Sequence, residues 1–146
     1  KILAQWSVFS SLNKDKYANF QKKMHSFYLF YGVENKHHPR IRFALYDSAQ
    51  DRVQIMFKNM LGDTDVLVDA IGYTYQSLSS QVDPLTYYLA SGDEHTILRY
   101  NRFYSKEVDG VRFVEWFNNL LNNGFPDAVD CRASSGKCQN DTIIKQ

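Results

Sequence analysis

The chain has 146 residues, 44% of them hydrophobic and 15% aromatic, with a formal net charge of +1 at pH 7. So much apolar material excludes a disordered chain, and the length suits one domain, 1–146, with no internal boundary. The small charge, with no basic stripe interleaved with aromatics, excludes a nucleic-acid interface built on phosphate attraction, and no run of about 18 apolar residues offers a transmembrane helix.

In chain order, residues 1–12 can place Trp6, Val8, Phe9 and Leu12 on one face. Tyr17, Phe20, Met24, Phe27, Tyr28 and Tyr31 recur at spacings of three and four, which predicts a helix over 14–31 stopped by Gly32. Lys14, Lys16, Lys22 and Lys23 are expected to form its solvated face rather than a binding patch. His37-His38-Pro39 predicts a turn. Adjacent residues in an extended chain point to opposite sides, so the histidine pair is poorly disposed to share a metal.

Ile41 to Tyr46, apolar and aromatic, predicts a buried strand. Val53, Met56, Phe57, Met60 and Leu61 predict a helix over 50–61 ended by Gly62, and a second amphipathic helix is expected over 64–80, broken by Asp83-Pro84. A short strand over 86–90 follows, then a loop over 91–96. Arg102 to Lys106 is expected to be extended or irregular, Val108-Asp109-Gly110-Val111 a turn, and 111–122 a final helix stopping at Asn123-Gly124. Two strands among four helices cannot cover all these apolar faces, so a larger sheet completed from elsewhere is expected.

The chemistry concentrates after the two strands. Asp51 follows the first and opens a helix with Gln54 three residues on; Gly92-Asp93-Glu94-His95-Thr96-Ile97-Leu98 follows the second. An acid after one strand and a histidine after the next is the order in which an α/β-hydrolase ends its catalytic triad. A loop imidazole suits a general base, since its ordinary pKa lies near neutrality, and an aspartate on its other nitrogen fixes tautomer and orientation. Asp47, Asp93 and Glu94 compete for the aspartate's role. Asp51 also suits a plain helix cap, and Gln54 reads most simply as an exposed glutamine.

The nucleophile has no place in this sequence. No two of the seven glycines stand four apart, so there is no G-x-S-x-G elbow. The serine is expected on a preceding polypeptide. The opening Lys1-Ile2-Leu3-Ala4-Gln5-Trp6, without an initiator methionine or signal-type apolar stretch, is read as an internal position of a longer precursor, and an arbitrary boundary of the sequence would look the same.

Cys131 and Cys138 enclose a short polar loop. A disulfide between them is one expectation, and pairing with a cysteine of a missing segment is the other. Asn140-Asp141-Thr142 fits the N-glycosylation pattern, and beside two cysteines it points toward a secreted protein.

Phe43-Ala44-Leu45-Tyr46 leading into Asp51-Arg52-Val53-Gln54-Ile55, then Gly92 to Leu98 with Phe103-Tyr104, then Val108-Asp109-Gly110-Val111 continuing through Glu115-Trp116-Phe117, resemble the pectinacetylesterase/Notum family of serine hydrolases. The resemblance covers most of residues 40–131 and, more loosely, the region around Trp6. It implies the C-terminal portion of an α/β-hydrolase fold, class α/β, with Asp51 and His95 as acid and base. The serine and the oxyanion-hole donors are then expected on an N-terminal chain or segment of the same precursor. The implied reaction is hydrolysis of an acyl ester, acetylated polysaccharide before a lipid-type ester, without metal or organic cofactor. The alternative is a catalytically inactive hydrolase-fold protein serving as a structural or interaction component.

Overall fold

The computed structural model describes residues 40, 42–122, 124–133 and 138. The expected helix over 14–31, the apolar face around Trp6, the His37-His38-Pro39 turn and Asn140 lie outside the described residues. Strand β1 (Phe43–Ser48) is followed by helices α1 (Arg52–Met60) and α2 (Leu67–Ser79) and by strand β2 (Leu85–Ala90), which enters from a cis Asp83-Pro84 peptide. Strands β1 and β2 are parallel, in register from Phe43 opposite Leu85 to Ser48 opposite Ala90. No hairpin can join parallel strands, and α1 and α2 form the crossover that does.

On the other side of β2 lies β5 (Val129–Asp130), also parallel, with Tyr88 opposite Val129 and Leu89 opposite Asp130. The order β1-β2-β5 makes β2 the central strand, and its Thr86, Tyr88, Leu89 and Ala90 are fully buried. A parallel sheet crossed over by helices places the chain in the α/β class. Strand alternation assigns the two faces. Tyr46 and Tyr88 point toward helix α4 (Phe113–Asn122), where the Phe113 ring lies 4.8 Å and 5.1 Å from them and Trp116 lies 5.6 Å from Tyr88. Asp47 and Tyr87 point toward α2, where the Tyr75 ring lies 4.1 Å from Tyr87. Helix α1 buries no residue fully and leaves Met56, Phe57 and Met60 exposed.

Several expectations shift. Strand β1 starts two residues later than 41–46 and takes in Asp47 and Ser48, because pairing with β2 continues to Ala90. Arg102–Ser105 is not extended: it is a single helical turn, α3. The turn at 108–111 is the tip of an antiparallel hairpin of β3 (Glu107–Val108) and β4 (Val111–Arg112). Asp109 and Gly110 hold φ values of 52° and 81° there, the paired positive φ that an Asp-Gly hairpin turn supplies. Strand β5 was not foreseen. Two residues are too few for an alternation signal, and what builds the strand is its long-range anchoring. Thr86 Oγ1 donates to Pro126 O at 2.8 Å, Trp116 Nε1 to Asp127 O at 2.9 Å, and Cys131 N to Leu89 O at 3.1 Å.

Directly after β5, Cys131 and Cys138 form a disulfide with each other, with Cα atoms 5.0 Å apart. Among the described residues no helix is long and apolar enough to cross a membrane.

Candidate active site

Because β1 and β2 run parallel and in register, the loops that leave them emerge side by side at the carboxyl edge of the sheet, the edge where open α/β sheets build their sites. Backbone bonds extend the pairing into those loops, Ala49 N to Ala90 O at 2.8 Å and Gln50 N to Gly92 O at 2.9 Å. Asp51 and His95 therefore meet, although 44 residues separate them. His95 Nδ1 lies 2.8 Å from Asp51 Oδ2. The aspartate side chain is 1% exposed and the imidazole 49% exposed, so the acid is enclosed while the ring opens to solvent.

The Asp51 carboxylate divides its work between its two oxygens. Oδ1 accepts from Val53 N at 2.8 Å and Gln54 N at 3.0 Å, capping α1 at the helix pole that favours negative charge. Oδ2 faces His95 and also accepts from Gln54 Nε2 at 3.3 Å. Helix cap and imidazole partner are thus one group. A carboxylate only accepts hydrogen bonds, so for a neutral imidazole this contact selects the tautomer with its proton on Nδ1 and the lone pair on Nε2.

Gln54 is not the exposed residue its composition suggested. Its amide donates to both Asp47 Oδ1, at 2.8 Å, and Asp51 Oδ2, bridging two buried carboxylates. Asp47, a competitor for the orienting role, instead receives the Tyr75 hydroxyl at 2.5 Å. Burial, with a smaller contribution from the charge of Asp51, raises its pKa above the ordinary carboxylate value, and the Tyr75 and Gln54 bonds pull the other way.

A raised folded-state pKa means that the native chain holds this proton more tightly than the unfolded chain does. Ionised Asp47 therefore subtracts from stability as pH rises from about 4 through the raised value. Asp47→Asn removes that charge and keeps an acceptor for Gln54. Its urea midpoint is expected to exceed wild type at pH 7, with the difference fading toward about pH 4. Equal midpoints at pH 7 would rule this account out.

The remaining competitors shape the histidine loop. Glu94, buried, meets Lys106 Nζ at 3.0 Å and Arg102 Nη1 at 2.9 Å, and accepts from the Tyr46 hydroxyl at 3.3 Å. Burial first, then the charge of Glu94, hold that hydroxyl well above its ordinary pKa, so Tyr46 stays a donor. Lys106 Nζ also donates to Ser91 O at 3.0 Å. Asp93 pairs with Arg52 and with Arg102. Thr96 makes no side-chain capping bond to the short 3-10 turn Ile97–Arg99. Sequence reasoning missed Gln50, Tyr75 and Lys106. A buried lysine in a polar stretch carries no local signal, and only its partner reveals it.

The geometry by itself defines an α/β protein in which a buried aspartate orients a half-exposed imidazole at the carboxyl edge of a parallel sheet. Neither protein-family models nor curated proteins nor solved structures offer a match to this chain.

Proposed function

We propose that the chain carries the acid and base of a serine-type ester hydrolase of the α/β-hydrolase fold, related to the pectinacetylesterase/Notum enzymes, with the nucleophilic serine on a preceding segment or chain. One observation carries this reading: the 2.8 Å contact between Asp51 Oδ2 and His95 Nδ1 across two adjacent parallel strands, with the imidazole open to solvent.

In this reaction the serine Oγ attacks the acyl carbonyl carbon while its proton passes to His95 Nε2, and Asp51 stabilises the imidazolium. The tetrahedral intermediate collapses, the C–O bond of the ester breaks, and the proton moves from Nε2 to the departing alkoxide. Water, deprotonated in turn by His95, hydrolyses the acyl-enzyme, returning the carboxylic acid and the serine hydroxyl. The oxyanion-hole donors belong to the same preceding segment. Acetylated polysaccharide is the substrate class that the family likeness favours. The Cys131–Cys138 disulfide supports an oxidising, extracellular setting.

The test treats the native protein with a fluorophosphonate probe and identifies the labelled peptide by mass spectrometry. One labelled serine, with the label lost in His95→Ala, is the expected result. Robust labelling that survives His95→Ala contradicts the role given to His95. No labelling at all favours the rival reading, a hydrolase-fold component without catalysis, which the missing G-x-S-x-G elbow motivates.

A further inference from the structure

Gln50 lies between three loops. Its backbone N–H donates to Gly92 O at 2.9 Å, its side-chain Oε1 accepts from Gly92 N at 3.0 Å, and its Nε2 donates to Cys138 O at 2.6 Å. Gln50 immediately precedes Asp51, and Gly92 stands three residues before His95. Gly92, at φ 107°, presents both its N–H and its C=O to Gln50. One primary amide thus links the loop of the acid, the loop of the histidine and the loop closed by the disulfide.

The planarity of that amide makes the links interdependent. With Nε2 held by the Cys138 carbonyl, Oε1 must sit on the opposite side, where the Gly92 N–H needs an acceptor. Without that carbonyl only the Gly92 N–H selects this orientation, and one of the two bonds that fix it is lost. Cys138 O is in turn held in place by the disulfide to Cys131, whose own N–H is bonded to β2 at Leu89.

We infer that Gln50 is a positioning residue, through which the Cys131–Cys138 disulfide holds the His95 loop in register with Asp51. Its value to catalysis rests on the esterase reading; the clamp itself rests on the hydrogen bonds alone.

The test reads His95 directly in the full chain. Imidazole 15N shifts, assigned by their loss in His95→Ala, give the ratio of Nδ1–H to Nε2–H tautomers. Gln50→Leu is expected to lower that ratio about fivefold, the scale of one net hydrogen bond. Thiol reduction of the wild-type chain should produce the same fall, with opening of the disulfide confirmed by mass. In Gln50→Leu, reduction should add nothing. Gln50→Glu keeps an acceptor for Gly92 but has no donor for Cys138 O, so its ratio should also ignore reduction, and it serves as the comparison if the leucine variant does not fold.

An unchanged ratio in Gln50→Leu, or an equal fall on reduction in every background, overturns the inference. The expected tautomer behaviour in a protein that takes no fluorophosphonate label keeps the clamp and rejects the esterase.

Discussion

On the proposed esterase reading, Asp51→Asn is expected to leave helix α1 capped yet reduce the rate of fluorophosphonate labelling about 10⁴-fold, the scale of losing the orienting carboxylate of a triad. The two effects separate because the two oxygens do separate jobs. The Asn Oδ1 still accepts from the Val53 and Gln54 N–H groups. The Asn Nδ2 replaces Oδ2, and there it meets His95 Nδ1 and Gln54 Nε2, both of which had been donating. Two donors cannot bond, so the imidazole moves its proton to Nε2 and has no lone pair left for a serine hydroxyl.

Stability should fall far less, by about 1–2 kcal/mol, for one lost hydrogen bond and the lost charge at the helix pole. Asp51→Ala, which also removes the cap, should lower stability by about 1 kcal/mol more. Labelling of Asp51→Asn within tenfold of wild type, with the Nδ1–H tautomer retained, would show that Asp51 does not orient the base.

The parts of this arrangement that were readable in the sequence are those governed by local rules. Val53 to Leu61 declared a helix by spacing, Tyr87 to Ala90 a strand by composition, and Asp109-Gly110 a turn by the φ values that only such residues accept readily. The pairing of Asp51 with His95 was legible as an order along the chain, an acid after one strand and a histidine after the next. Their meeting within hydrogen-bond distance depends on the parallel register of β1 and β2, a nonlocal property.

The choice between helix cap and imidazole partner had no answer in the sequence, because one carboxylate makes both sets of contacts. Gln54 looked exposed since nothing in the sequence brings Asp47 to it. Strand β1, shifted by two residues, buries that second carboxylate beside the amide. Strand β5 and the Gln50 clamp come from contacts across 11 to 88 residues, which a local alternation pattern does not show.

The same nonlocality governs the second large effect, at the residue preceding the histidine. Glu94→Gln is expected to destabilise the chain by about 3–5 kcal/mol, as removal of one partner from a buried ion pair does. Glu94 and Lys106 side chains are 3% and 4% exposed, with the ammonium 3.0 Å from the carboxylate. The neutral amide nearly keeps the shape but removes the negative charge facing that ammonium, which also donates to the Ser91 carbonyl, and it weakens the hold on Arg102 and Tyr46.

The cost lies in the weakened compensation of a buried charge rather than in the pair's net worth. Replacing both partners, Glu94→Met with Lys106→Met, should therefore recover most of the loss. Urea unfolding of the two variants and wild type at constant ionic strength measures both numbers. A single-variant loss under about 1 kcal/mol would match a solvent-exposed pair. The His95 loop would then owe its position to the Gln50–Gly92 bonds rather than to its anchoring on Arg102 and Lys106.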